Sequence, residues 1–253
     1  MRPLEIRYQA VPVFTAAAFL ALAWTLGSRA ATHDFGAVDV NEFPWSSVSK
    51  IYNSARSSCT GSVVAPDKAL TAAHCLFNPA TRRFLPASSL HLLFGYDKGE
   101  YRVHARTASY VISPDYNPAN GEAALLEDWA LLILTETVPS NTAPIPLAAR
   151  PAVAGDPIMI GGFSQRHPFK MTADTDCQLQ GVAQNGMVVH NWSVLPGDSG
   201  APVLTGAGKD IEIIGVQVAS AQWNGLQVGV AVPITRIAPM LALPDSEARP
   251  QSE

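Results

Sequence analysis

The stretch Gly197-Asp198-Ser199-Gly200-Ala201-Pro202 sets a serine between two glycines, behind an acid and ahead of a proline. Glycine permits backbone conformations closed to other residues and lets the main chain approach a ligand closely. A serine hydroxyl is a weak nucleophile by itself, so such a turn does chemistry only with a base and an orienting acid. Both residue types are present, in Thr71-Ala72-Ala73-His74-Cys75 and in Asp128-Trp129-Ala130-Leu131-Leu132-Ile133. The chain order is His74, Asp128, Ser199. Together these groups could carry acyl transfer through a serine ester.

Those three segments need a scaffold, and its elements read as short strands. Runs at 48–52, 62–65, 90–94, 101–110 and 129–134 form a first half, and 157–161, 177–182, 187–190, 201–204, 211–218 and 227–232 a second. Pro, Gly, Asn and Asp separate them, the pattern of an all-β sandwich or barrel. Residues 136–150 form an extended, proline-bearing linker between a unit at 31–135, holding His74 and Asp128, and a unit at 151–243, holding Ser199. A short helix is expected over 234–243 despite Pro239, then a polar tail at 244–253. No motif repeats between the halves. A base and a nucleophile from different units would meet in the cleft between them, where ligand sites prefer to lie.

Residues 1–30 carry Arg2 and Arg7 ahead of an apolar run and end in Ser28-Arg29-Ala30, the pattern of a secretory signal peptide. An uncleaved membrane anchor is the alternative, because the run approaches spanning length. With cleavage, a secreted or periplasmic protein with no stable membrane association is expected. Of the net charge of −4, residues 1–30 contribute three arginines and one glutamate, leaving −6 on the rest. That argues against a nucleic-acid partner. Cys59 and Cys75 are spaced to join adjacent strands and are expected to be bridged in an oxidising compartment, contributing on the order of 3 kcal/mol. Cys177, the third cysteine, is left over. No Cys/His spacing suits zinc and no acidic loop suits calcium, so no metal and no cofactor is expected. His33, His91, His104 and His167 are read as loop or strand surface, and Trp129 as core packing.

The segment 71–75 with the upstream Cys59-Thr60-Gly61-Ser62, the aspartate entering an apolar strand, and the turn 197–202 together resemble the trypsin/chymotrypsin family of serine endopeptidases. The resemblance runs from about Phe43 to Val232. The Cys-Thr-Gly-Ser form, the small size and the missing disulfides look most like the bacterial branch that includes glutamyl endopeptidases. It implies two six-stranded antiparallel Greek-key barrels with the site between them, a short C-terminal helix, and a monomer acting on protein or peptide substrates. It also implies the roles: Ser199 as nucleophile, His74 as base and then acid, Asp128 as orienting acid, and the N–H groups of Gly197 and Ser199 as oxyanion hole. A silent binding protein on the same fold and an esterase-like hydrolase are the alternatives.

Three positions depart from the relatives. Asp198 stands where the family pairs an acid with a new terminal ammonium, yet Asp34-Phe35-Gly36-Ala37-Val38 is a poor activation sequence; a trim near residues 31–36 would supply the amine. Ser193 replaces the acid of trypsin-like pocket floors, which argues against Arg or Lys before the scissile bond. The pocket wall is read as Gln217, Val218 and Ala219, with Gly229 opposite. Gln217 stands nearest to the histidine by which glutamyl endopeptidases receive an acidic side chain. A small or medium uncharged residue is therefore expected there. Cys177 lacks the partner relatives place near Trp192 and is read as a buried free thiol, with an intermolecular bridge as the alternative. His190 is read either as pocket lining or as structural.

Overall fold

Strand 90–94 shows in miniature how the sheets are built. Leu90, Leu92 and Phe94 are buried while His91 and Leu93 are half-buried, the period-2 pattern of a strand with one face on a core. A computed structural model describes residues 36–53, 58–192 and 194–241. The signal-peptide segment, His33, Ser193 and the polar tail lie outside these described residues.

Twelve principal strands follow one another: β1 (Val48–Asn53), β2 (Ser58–Ala65), β3 (Lys68–Thr71), β4 (Leu90–Phe94), β5 (Val103–Ile112), β6 (Ala130–Leu134), β7 (Pro157–Gly162), β8 (Thr172–Val182), β9 (Val188–His190), β10 (Pro202–Thr205), β11 (Glu212–Trp223) and β12 (Leu226–Pro233). The C-terminal helix α1 spans Ile234–Leu241. The first six strands close into a barrel in the ring order β1-β2-β3-β6-β5-β4. The last six are ordered β8-β7-β10-β11-β12-β9, and the pairing of β9 back onto β8 closes them too. All of these pairings are antiparallel.

Both rings have the same order, so the two halves share a topology although no motif repeats between them. Barrel closure constrains hydrogen-bond order and inward-facing bulk, not residue identity. Bulges set the shape within strands. In β5, Ala105 and Thr107 are buried, then Tyr110 and Ile112; the change of parity falls at the register shift between Thr107 and Ser109, as an extra residue must produce.

The segment joining the barrels is extended and tied to both. Ile145 N–H donates to Val63 O at 2.9 Å, and Ala148 N–H to Ile213 O at 2.9 Å. Its prolines donate no hydrogen bond and fix φ, which suits a connection lying on a surface. Trp129, Trp192, Phe94 and Phe163 are among the largest fully buried side chains, so Trp129 is core.

Candidate active site

His74 sits in a single 3-10 turn, Ala73–Leu76, directly after β3. Asp128 caps the end of the 3-10 segment Pro118–Glu127, two residues before β6. Because β3 and β6 are paired, with Thr71 opposite Ala130, residues just beyond their adjoining ends are brought together. Asp128 takes hold of His74 twice. Its Oδ1 accepts from the His74 backbone N–H at 2.8 Å, and its Oδ2 lies 2.6 Å from His74 Nδ1. The aspartate is buried and the imidazole partly exposed. With Nδ1–H given to the carboxylate, Nε2 is the nitrogen left to take a proton.

The serine turn comes from the second barrel and is docked on the first. Thr60 N–H donates to Ser199 O at 2.8 Å. Thr60 Oγ1 donates to Gly197 O at 3.0 Å and accepts from Phe163 N–H at 3.1 Å. Thr60 O accepts in turn from Thr71 Oγ1 at 2.8 Å. Cys75 Sγ, one residue from His74, lies 3.8 Å from Ser199 O. The turn bearing Ser199 and the turn bearing His74 are therefore in contact. No hydrogen bond joins Ser199 Oγ to His74 Nε2 in this arrangement; such contacts commonly tighten only around a substrate.

Two glycines make the docking sterically feasible. Gly197 has φ +100°, and a Cβ there would lie 2.3 Å from Phe163 O. Gly200 has φ +83°, and its Cβ would lie 2.1 Å from Thr60 O. The N–H groups of Asp198, Gly200 and Ala201 donate to Leu195, Gln217 and Asp198 carbonyls. Among the described residues, those of Gly197 and Ser199 donate to none, which leaves them available for an oxyanion.

Asp198 is buried beside them, with Oδ2 accepting from Leu195 N–H at 2.9 Å and Oδ1 without a partner. Oδ1 faces Gly162, whose Cβ would come within 3.1 Å of it. Burial pushes this carboxyl up to about 7, opposed only by the Leu195 hydrogen bond.

The predicted pocket residues diverge in their roles. Val218 joins His74, Tyr116, Leu125 and Asp128 around a depression of about 340 Å³. Gln217 is fully buried behind this wall. Its Nε2 donates to Ala219 O at 2.6 Å, so its Oε1 is the atom 2.6 Å from His190 Nε2. That fixes the tautomer: His190 Nε2 carries the proton, and Nδ1 is unpartnered. Burial lowers His190 to about 4, only partly opposed by Gln217. Gly229 lies opposite His190 across β9 and β12, and a Cβ there would come 2.0 Å from the ring. His190 is thus a neutral, structural partner of Gln217.

The Cys59–Cys75 disulfide is present, and Cys177 is free and buried. Burial, then the charge of Asp174, pushes the Cys177 thiol well above its usual range, leaving it protonated and unreactive. Cys59, His74 and Cys75 bring donor atoms close together, but both sulfurs are spent in the disulfide. Thr60 is the residue whose role the sequence hid. Its motif was legible, but its span to a turn 137 positions away depends on the docking of the barrels.

Comparison with known proteins agrees with this architecture. The family model described as Trypsin matches residues 36–241. Serine protease SP24D of Anopheles gambiae is 26% identical over 164 residues, covering 58% of this chain and 58% of that protein. The match therefore spans somewhat over half the length of that relative. Among solved structures, a Glu endopeptidase in complex with MPD has a TM-score of 0.66 at 19% identity, over 82% of this chain and 96% of that one. That likeness is one of fold.

Proposed function

Since the chain belongs to the trypsin family, we propose that it is a serine endopeptidase, with Ser199 as nucleophile, His74 as base and Asp128 as orienting acid. One observation carries the reading: an imidazole clasped at two points by a buried aspartate, on a turn in contact with the serine-bearing turn. In the first step Ser199 Oγ forms a bond to the scissile carbonyl carbon while its proton passes to His74 Nε2. The carbonyl oxygen becomes an oxyanion facing the N–H groups of Gly197 and Ser199. Collapse breaks the C–N bond, and the leaving amine takes the proton from His74. Water repeats the sequence on the acyl-enzyme and restores the serine.

The residue before the scissile bond is uncharged in this proposal. Gln217 is fully buried, with Oε1 on His190 and one Nε2 hydrogen on the Ala219 carbonyl, so it presents no cation to an acidic side chain. A peptide-library profile dominated by Glu, Arg or Lys would remove this part of the reading. The signal-like segment 1–30 and the disulfide support export from the cytoplasm. Asp198 is the acid a terminal ammonium would meet after trimming.

A fluorophosphonate probe tests the central assignment. The exported protein is expected to label, and Ser199→Ala and His74→Ala are each expected to abolish labelling. A folded parent that stays unlabelled and cleaves no peptide would instead be a binding protein on this fold.

A further inference from the structure

His91 of β4 and His104 of β5 meet on the outer face of the first barrel. Register places His91 opposite Arg106 and His104 opposite Leu93, so the two histidines are diagonal neighbours on one face. Their rings are 5.0 Å apart at a tilt of 43°, and His91 Nδ1 lies 2.9 Å from His104 Nε2. The Tyr101 ring stands edge-on to His104 at 5.9 Å. Neither histidine has a part in the chemistry proposed for Ser199.

Two nitrogens each about 2.0–2.1 Å from one ion and at right angles around it stand about 2.9 Å apart. The observed spacing is that of a cis pair of imidazole ligands. Without an ion the same spacing is an N–H···N hydrogen bond between the two rings, and a metal would displace that proton. A cleft of about 500 Å³ adjoins His104 and is bounded also by Thr135, Glu136 and Thr137, with room for water to complete a coordination shell. Arg106 opposes a cation and weakens the site without blocking it.

We propose that His91 and His104 chelate one divalent transition-metal ion of the kind imidazole prefers, Cu²⁺ most tightly, with Ni²⁺ and Zn²⁺ behind it. Such an ion would cross-link β4 to β5. The loop between them docks on the second barrel, where Lys98 N–H donates to Phe169 O at 2.6 Å and Asp97 bridges to Lys170. The ion's effect is therefore on stability rather than on catalysis, and it does not depend on the peptidase reading.

The test is titration of Cu²⁺ into the His74→Gln variant with His33→Gln added, which removes self-digestion, the competing catalytic imidazole and the third-position histidine of a new amino terminus at Ala31. Calorimetry is expected to show one equivalent bound, and the copper spectrum two nitrogen ligands. With metal tenfold above its dissociation constant, the melting temperature should rise by about 3–6 °C. Adding His91→Gln or His104→Gln should each weaken binding at least tenfold and abolish the rise, while melting without metal stays as in the parent. Absence of binding in the His33→Gln, His74→Gln protein, or equal binding in the added variants, overturns the proposal.

Discussion

Asp198 is the side chain least well served by its surroundings. It is buried next to the nucleophile with one oxygen unpartnered, and burial raises it to about 7. An unfolded aspartate titrates near 3.9, so between about pH 4 and pH 7 the folded protein holds a proton that the unfolded chain has lost. Stability therefore falls as pH rises through that window and stays low above it. Asp198→Asn keeps an acceptor for Leu195 N–H and removes the buried charge. It is expected to match the parent at pH 4 and to exceed it by a few kcal/mol at pH 8, read by denaturant unfolding at both values. A chain trimmed near residues 31–36, with its new ammonium on Asp198, should show the opposite order at pH 8. At this scale the sequence was informative wherever residue type dictates chemistry. His74, Asp128 and Ser199 stood out because few jobs need those groups beside those flanks. The Gln217–His190 contact did not, because it joins residues 27 positions apart through the register of β9, β12 and β11.

The elements that matter most are the short ones. The Cys59–Cys75 bridge ties β2 to the 3-10 turn bearing His74 across a separation of 16 residues. Removing it with paired serine substitutions should cost about 3 kcal/mol of stability. The turn it anchors also holds the imidazole against Asp128, so turnover should fall while KM changes little. Thermal melts and steady-state kinetics on the double variant check both parts. A variant that melts early yet turns over normally would show that β3 alone positions His74. β3 itself, Lys68–Thr71, was not legible as a strand. Four residues with only Ala69, Leu70 and Thr71 buried give too short an alternation to stand out, and pairing with β2 and β6 makes it a strand. Longer strands were visible, but their ends moved where bulges break alternation. β11 extends to Trp223 past the shift between Gln217 and Ala219.

Across the whole molecule, the barrels are joined by more than one side chain, and two neighbouring joints should fail differently. At the site, Thr60 holds Gly197 O and Phe163 N–H through one hydroxyl. On the adjoining strand, Lys50 of β1, opposite Thr60 in register, donates to the Pro168 carbonyl and lies over the Tyr96 ring at 4.7 Å. Thr60→Val preserves shape but leaves two buried polar groups unpaired, at about 1–3 kcal/mol each. It also frees the Gly197 carbonyl, which lies between the two oxyanion donors, and a small displacement there can cost on the order of 10²-fold in turnover. Lys50→Met keeps the apolar stem and removes the charged donor, a loss of roughly 1.5–3 kcal/mol. That corresponds to a melting temperature lower by roughly 3–12 °C for a chain of this size, with kcat at 25 °C unchanged. Kinetics and melting on the two variants side by side separate the joints. Loss of turnover in Lys50→Met at a temperature where it is fully folded would mean that the Lys50 joint also sets the geometry between Ser199 and His74.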